Sequence, residues 1–119
     1  MRIVGLLAPA AVAAGLVIAQ AAVAAGSAEH GKVADVKHGC WQCHGFVGQV
    51  GVAGPKLAPN PMPVEAFSAI VRFTSGAMPP YQKAILSDGD LADIHAYLQS
   101  IPKAPDYRSI PLLNPLGKE

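Results

Sequence analysis

The chain has 119 residues, enough for one domain at most, with nine Lys and Arg against eight Asp and Glu. A formal net charge of +1 and no basic stripe argue against nucleic acid as a partner. The two cysteines, Cys40 and Cys43, would close only a tiny loop if bridged, so a structural disulfide explains them poorly.

Residues 1–25 read as a cleavable export signal. Arg2 is followed by an Ile, Val, Leu and Ala run and then by small residues, where Ala22-Val23-Ala24 and Val23-Ala24-Ala25 both fit the signal peptidase pattern. The competing reading is a retained anchor, since the run from Ile3 to Ala25 is long enough to span a bilayer. Pro9, Gln20 and the high Ala and Gly content favour export. Export places the protein in the periplasm, with membrane contact only if the leader is retained. The mature domain then begins near Gly26, and without Arg2 its cations and anions balance.

Residues 27–39 predict a short helix. Ser27 is a suitable cap, Glu29 suits the first turn, and Val33, Val36 and Cys40 recur at helical spacing. His30 and His38 are expected to face solvent. The following stretch, GFVGQVGVAGPKLAPNPMP, is too rich in Gly and Pro for a regular element and reads as an extended loop wrapped over something. A second helix begins around Pro63 and runs to Phe73, with Val64, Phe67, Ile70 and Val71 on one face. TSGAMPPY breaks it. Ser87 then caps the clearest helix, with Asp88 and Asp90 in its first turn and Leu91, Ile94, Leu98 and Ile101 along one side, until Pro102 stops it.

No stretch alternates as a strand, so residues 26–102 are predicted to be all-α, with about three helices and long loops. Residues 103–119 form a Pro-rich C-terminal extension. Ile110, Leu112, Leu113 and Leu116 in it are a costly set to leave exposed, and are expected to cover the protein's own surface or a partner's. Three short helices bury little core by themselves and need a common object to pack on.

The stretch CWQCH, Cys40 to His44, names that object. A redox dithiol needs a strand-to-helix junction that the sequence does not offer. Structural zinc needs four converging ligands, and His44 with another of His30, His38 or His95 would have to complete two cysteines. Covalent haem attachment needs two thiols that reach two vinyl groups on one porphyrin edge and an imidazole aimed at the iron, which the CxxCH spacing provides. The favoured reading is therefore one haem c, fastened by Cys40 and Cys43 and ligated by His44. For the opposite face Met78 is preferred, because Pro79 and Pro80 fix the backbone beside it. Met62, a histidine or an open position are the alternatives. The Pro55 carbonyl is expected to accept the His44 Nδ1 proton and so fix the ring. His95 is expected to be a packed or half-exposed residue rather than a ligand, and Arg72 a candidate partner for a haem propionate.

CWQCH, then GPKLAP, GAMPPY and LSDGDLADIHAYLQS, resemble a single-haem class I cytochrome c over nearly all of residues 27–101. The resemblance implies a cytochrome c-like fold in which the first and last helices cross beside the haem, with Tyr97 packed at the crossing. Relatives often carry an aromatic residue four places before the first Cys, where this chain has Val36, which implies a looser helix contact. The segment from Gly76 to Ser100 is also similar to small cytochrome subunits that accept electrons from periplasmic dehydrogenases. The expected function is one-electron transfer, with His and Met axial ligation leaving no site for substrate. A dehydrogenase is the expected donor and an oxidase or another cytochrome the acceptor. The alternative is a haem-based sensor or enzyme with a labile sixth ligand. Lys56 and Lys83 are candidates for a docking rim.

Overall fold

The computed structural model describes residues 26–51 and 53–113. The proposed leader, residues 1–25, and Leu116 of the extension lie outside the described residues. Every regular element is helical: α1 (Ala28–Lys37), α2 (Trp41–His44), α3 (Val64–Phe73), α4 (Asp88–Ser100) and a 3-10 turn (Tyr107–Ser109). The described residues contain no strand. The one helix beyond the three expected is α2, a single turn made by the CxxCH stretch itself.

The helix starts follow from local chemistry. The Ser27 hydroxyl accepts the His30 amide and the Ser87 hydroxyl accepts the Asp90 amide, so each satisfies a backbone donor that has no partner inside its helix. Asp88 and Asp90 add negative charge where the helix dipole is positive. Pro63 precedes α3, and α4 ends at Ser100, just before the Ile101-Pro102 pair.

α1 packs across α4, and this crossing is the main helix contact of the fold. The face that α1 buries is not the one its larger apolar residues mark. Val33 and Val36 are 66% and 49% exposed, whereas Gly31, Ala34 and Asp35 are buried. The reason is distance. A Cβ at Gly31 would lie 1.9 Å from the Asp93 carbonyl oxygen and 2.8 Å from Tyr97 Cβ, so only hydrogen fits between the two backbones. The expected looser contact at Val36 is replaced by a close, glycine-mediated crossing. It is fixed further by the Ser27 amide, which donates to Asp93 at 2.6 Å. Tyr97 packs there, 6% exposed, and its hydroxyl donates to the Phe46 carbonyl at 3.1 Å, tying the loop after α2 to α4.

The core comprises Leu91, Ile94, Tyr97 and Leu98 from α4, Phe67 and Val71 from α3, Ala34 from α1, and Ala58 and Leu86 from loops. Leu86, Leu91, Ile94 and Leu98 are sealed almost completely. Burial of one such side chain stabilises by roughly 1.5–3 kcal/mol, so this thin core supplies little by the measure of larger domains. The helices instead stand around a cavity.

Candidate functional site

The cavity has a volume of about 370 Å³ and mostly apolar walls. Cys40, Cys43 and His44 line one side of it, Gly54, Pro55 and Leu57 continue that wall, and Met62 and Met78 also face it. α3 contributes Phe67, Ile70 and Val71, and α4 contributes Leu91 and Ile94. Ile70, although 47% exposed, belongs to this lining. The five residues singled out by sequence, Cys40, Cys43, His44, Pro55 and Met78, are therefore brought to one place.

α2 explains the arrangement of the thiols and the ring. One helical turn separates Cys40 from Cys43, and His44 follows directly, 8% exposed. The His44 Nδ1 lies 2.8 Å from the Pro55 carbonyl oxygen, the geometry of a protonated Nδ1 donating to it. That bond leaves Nε2 as the nitrogen available for a ligand. Gly54 completes the mount. A Cβ there would come within 2.4 Å of His44 Cε1 and 2.6 Å of Nδ1, so the glycine backbone approaches the imidazole too closely for any side chain. The Gly54 amide donates to the Cys43 carbonyl at 3.1 Å, which locks the loop to α2. Sequence reasoning missed Gly54; its place directly before Pro55 in GPKL was the available signal.

The electrostatics weigh against thiol chemistry. Burial, reinforced by the nearby Asp35 carboxylate, pushes the Cys40 thiol up to about 12. A redox cysteine needs the opposite shift, toward thiolate at neutral pH. Asp35 is itself 3% exposed, and burial pushes its carboxyl up from 3.8 to about 6, while His44 and a hydrogen bond from Cys40 offset part of the rise. Nothing in the sequence pattern marked Asp35 as an interior residue.

The remaining histidines have other partners. The His95 Nε2 lies 2.8 Å from the Met62 carbonyl oxygen, and its ring packs edge-on against Phe67 at 5.5 Å, so it is a packed residue as expected. His38 departs from expectation. Its side chain is 6% exposed rather than solvent-facing, with Nε2 3.7 Å from an Asp90 carboxylate oxygen. α1 ends at Lys37, and His38 lies where that end meets the start of α4. His30 remains exposed. Among the described residues no three His, Cys, Asp or Glu side chains gather as a metal site, so the four ligands that zinc requires are not assembled.

Arg72, a candidate partner for a haem propionate, has protein partners of its own. Its guanidinium, 8% exposed, is engaged by the Tyr81 carbonyl at 2.9 Å, the Leu86 carbonyl at 2.7 Å and the Asp88 carboxylate at 2.8 Å. Lys83 pairs with the same Asp88 at 2.6 Å, while Lys56 is exposed. In the extension Ile110 is half-buried, but Leu112 is 88% exposed, so the extension does not lay its whole apolar set on the domain.

The donor set and the cavity fit a covalently held tetrapyrrole. Two thiols sit on one wall, one imidazole nitrogen is oriented by its neighbours, thioethers are present, and the surround is nearly free of polar groups. Residues 27–98, more than half of the chain, match the model of a family described as cytochrome C oxidase, cbb3-type, subunit III. No curated protein and no solved structure matches.

Proposed function

The chain belongs to the cbb3-type cytochrome c oxidase subunit III family, and we propose that it is a periplasmic one-electron carrier holding one haem c. The observation that carries this reading is the convergence of Cys40, Cys43, His44 and Met78 on one apolar cavity. Haem c, when bound, supplies a one-electron ferric/ferrous couple. Cys40 and Cys43 would hold it as thioethers, and His44 Nε2 and the Met78 sulfur would ligate its iron. With both side chains engaged, the iron would keep no position for a substrate, which favours electron transfer over catalysis. Methionine ligation favours the reduced state, and so do the apolar walls.

The exit for the electron is the face around Cys43, which is exposed. No Lys, Arg, Asp or Glu occurs from Gly39 to Pro55. Trp41 and Phe46 stack there with centroids 4.7 Å apart, and Phe46 is 66% exposed. A partner docking on this face gains little from electrostatic steering, so the transfer rate depends weakly on salt. The donor in this reading is a dehydrogenase, the acceptor an oxidase or another cytochrome. The exposed Leu112 supports a role for residues 103–119 in holding the donor.

The decisive test is carbon monoxide added to the reduced, natively exported protein, after mass spectrometry for one covalent haem. Slow or negligible binding is expected. Prompt and full binding at neutral pH overturns the carrier reading in favour of a sensor or enzyme with a labile sixth ligand. Two free thiols in the exported protein overturn the haem reading altogether. Deletion of the residues after Pro102 is expected to slow electron transfer from the donor with an unchanged haem spectrum; an unchanged rate favours a freely diffusing shuttle.

A further inference from the structure

We propose that Arg72 is a positioning residue that keeps the Met78 thioether at the haem site, by pinning the backbone that follows Met78 to the end of α3. The proposal rests on the reading of Met78 as an axial ligand. Its own basis is the hydrogen-bond pattern around Tyr81.

Met78 lies in the irregular segment between α3 and α4. Nothing regular holds that segment, so its path is set where it is anchored. Tyr81 is the anchor. Its amide donates to the Val71 carbonyl at 2.9 Å, and its carbonyl accepts from Arg72 Nη1 at 2.9 Å. Two adjacent residues of α3 therefore grip both polar groups of one residue. The Tyr81 hydroxyl donates to the His38 carbonyl at 2.8 Å and fixes the same residue from the α1 side. Only Pro79 and Pro80 separate Met78 from this anchor, and a proline ring holds φ near −65°. Their restricted backbones transmit the position of Tyr81 to Met78.

Arg72 extends the grip to the rest of the segment. The same Nη1 reaches the carbonyl of Leu86, which is 1% exposed, and Nη2 reaches Asp88 at the start of α4. A planar guanidinium can serve three acceptors in fixed directions, which a lysine ammonium on a flexible stem does less well. The two carbonyls matter more than the ion pair. Asp88 is largely exposed and shares its charge with Lys83, so solvent screens its end of the pair. Loss of the guanidinium leaves the two carbonyls without this donor and frees the Met78 segment at its downstream end.

The test uses the holoprotein and its Arg72→Gln, Arg72→Lys, Asp88→Asn and Met78→Ala variants. Two readouts report on Met78: the sulfur-to-iron charge-transfer band of the ferric protein with its loss as pH rises, and the rate of carbon monoxide binding to the ferrous protein. Arg72→Gln is expected to lose the band at lower pH and to bind carbon monoxide roughly tenfold faster or more, because charged hydrogen bonds to the segment are gone. Arg72→Lys is expected to fall between it and wild type, and Asp88→Asn to behave as wild type. Wild-type values in Arg72→Gln overturn the role of Arg72 alone. If that variant does not retain haem, Arg72→Lys decides, and wild-type values there overturn the role equally. A wild-type protein without the band, or Met78→Ala that keeps it, overturns the axial reading of Met78 and the role of Arg72 with it.

Discussion

Replacement of Gly54 by Ala tests whether the His44 ring is mounted as described. The added Cβ would sit 2.4 Å from Cε1, 2.6 Å from Nδ1 and 3.0 Å from Nε2. Carbon atoms in comfortable contact are about 3.5 Å apart, so ring and loop must separate by roughly 1 Å. The His44 Nδ1 to Pro55 carbonyl distance is 2.8 Å, and the same retreat takes it beyond hydrogen-bonding range. Loss of that bond costs about 0.5–1.5 kcal/mol, and overpacking against a fixed ring adds roughly 1–3 kcal/mol. The effect on function has a sign as well. A hydrogen-bonded Nδ1 makes the imidazole a stronger donor, which favours the ferric state, so its loss raises the reduction potential. A tenfold differential weakening of the ferric state corresponds to about 59 mV for a one-electron couple. The assays are denaturant unfolding of the holoprotein and a spectroelectrochemical titration. Gly89→Ala serves as the control, because a Cβ there meets only Ser87 Oγ at 3.8 Å and should stabilise α4 by up to about 1 kcal/mol. Gly54→Ala with wild-type stability and potential would falsify the mount.

Other expectations follow from separate contacts. Gly31→Ala sets a Cβ 1.9 Å from the Asp93 carbonyl oxygen and forces α1 away from α4. Despite the better helix propensity of Ala, thermal unfolding should show a net loss of about 2 kcal/mol, roughly 10 °C in Tm; an unchanged Tm contradicts the crossing. Asp35 has a folded pKa raised from 3.8 to about 6, so the folded state binds its proton more tightly than the unfolded chain. Its contribution is therefore most favourable below pH 3.8, is lost as pH rises to about 6, and stays lost above. Asp35→Asn should abolish that loss in unfolding measured from pH 4 to pH 7, and a wild-type pH profile in the variant refutes the burial argument. Ser87→Ala removes the acceptor for the Asp90 amide and should cost about 1 kcal/mol in the same unfolding assay, with no change in reduction potential.

The short-range features of this protein are legible in its sequence. Ser27 and Ser87 are followed within three residues by the amides they accept, so the starts of α1 and α4 can be read from a few neighbouring letters. CxxCH likewise sets two thiols and an imidazole on one turn whatever surrounds it. α4 is legible because Leu91, Ile94 and Leu98 make a stripe wide enough to name its buried side. The same rule fails for α1. It seeks large apolar residues and finds Val33 and Val36, yet the buried side is Gly31, Ala34 and Asp35.

What sequence by itself determined, then, is whatever one or two turns of chain decide: the caps, the three longer helices, the CxxCH spacing and the lack of an alternating pattern. What tertiary structure alone decided is where backbones come too close for a side chain, and which distant groups share a hydrogen bond. Gly31 against Asp93, Gly54 against His44, the buried side chain of His38 and the three acceptors of Arg72 all belong to that second class. Their partners are separated by ten residues or more in most cases, and a glycine's value lies in an atom it lacks. Such contacts exist only once two segments have met, so composition and periodicity carry no trace of them.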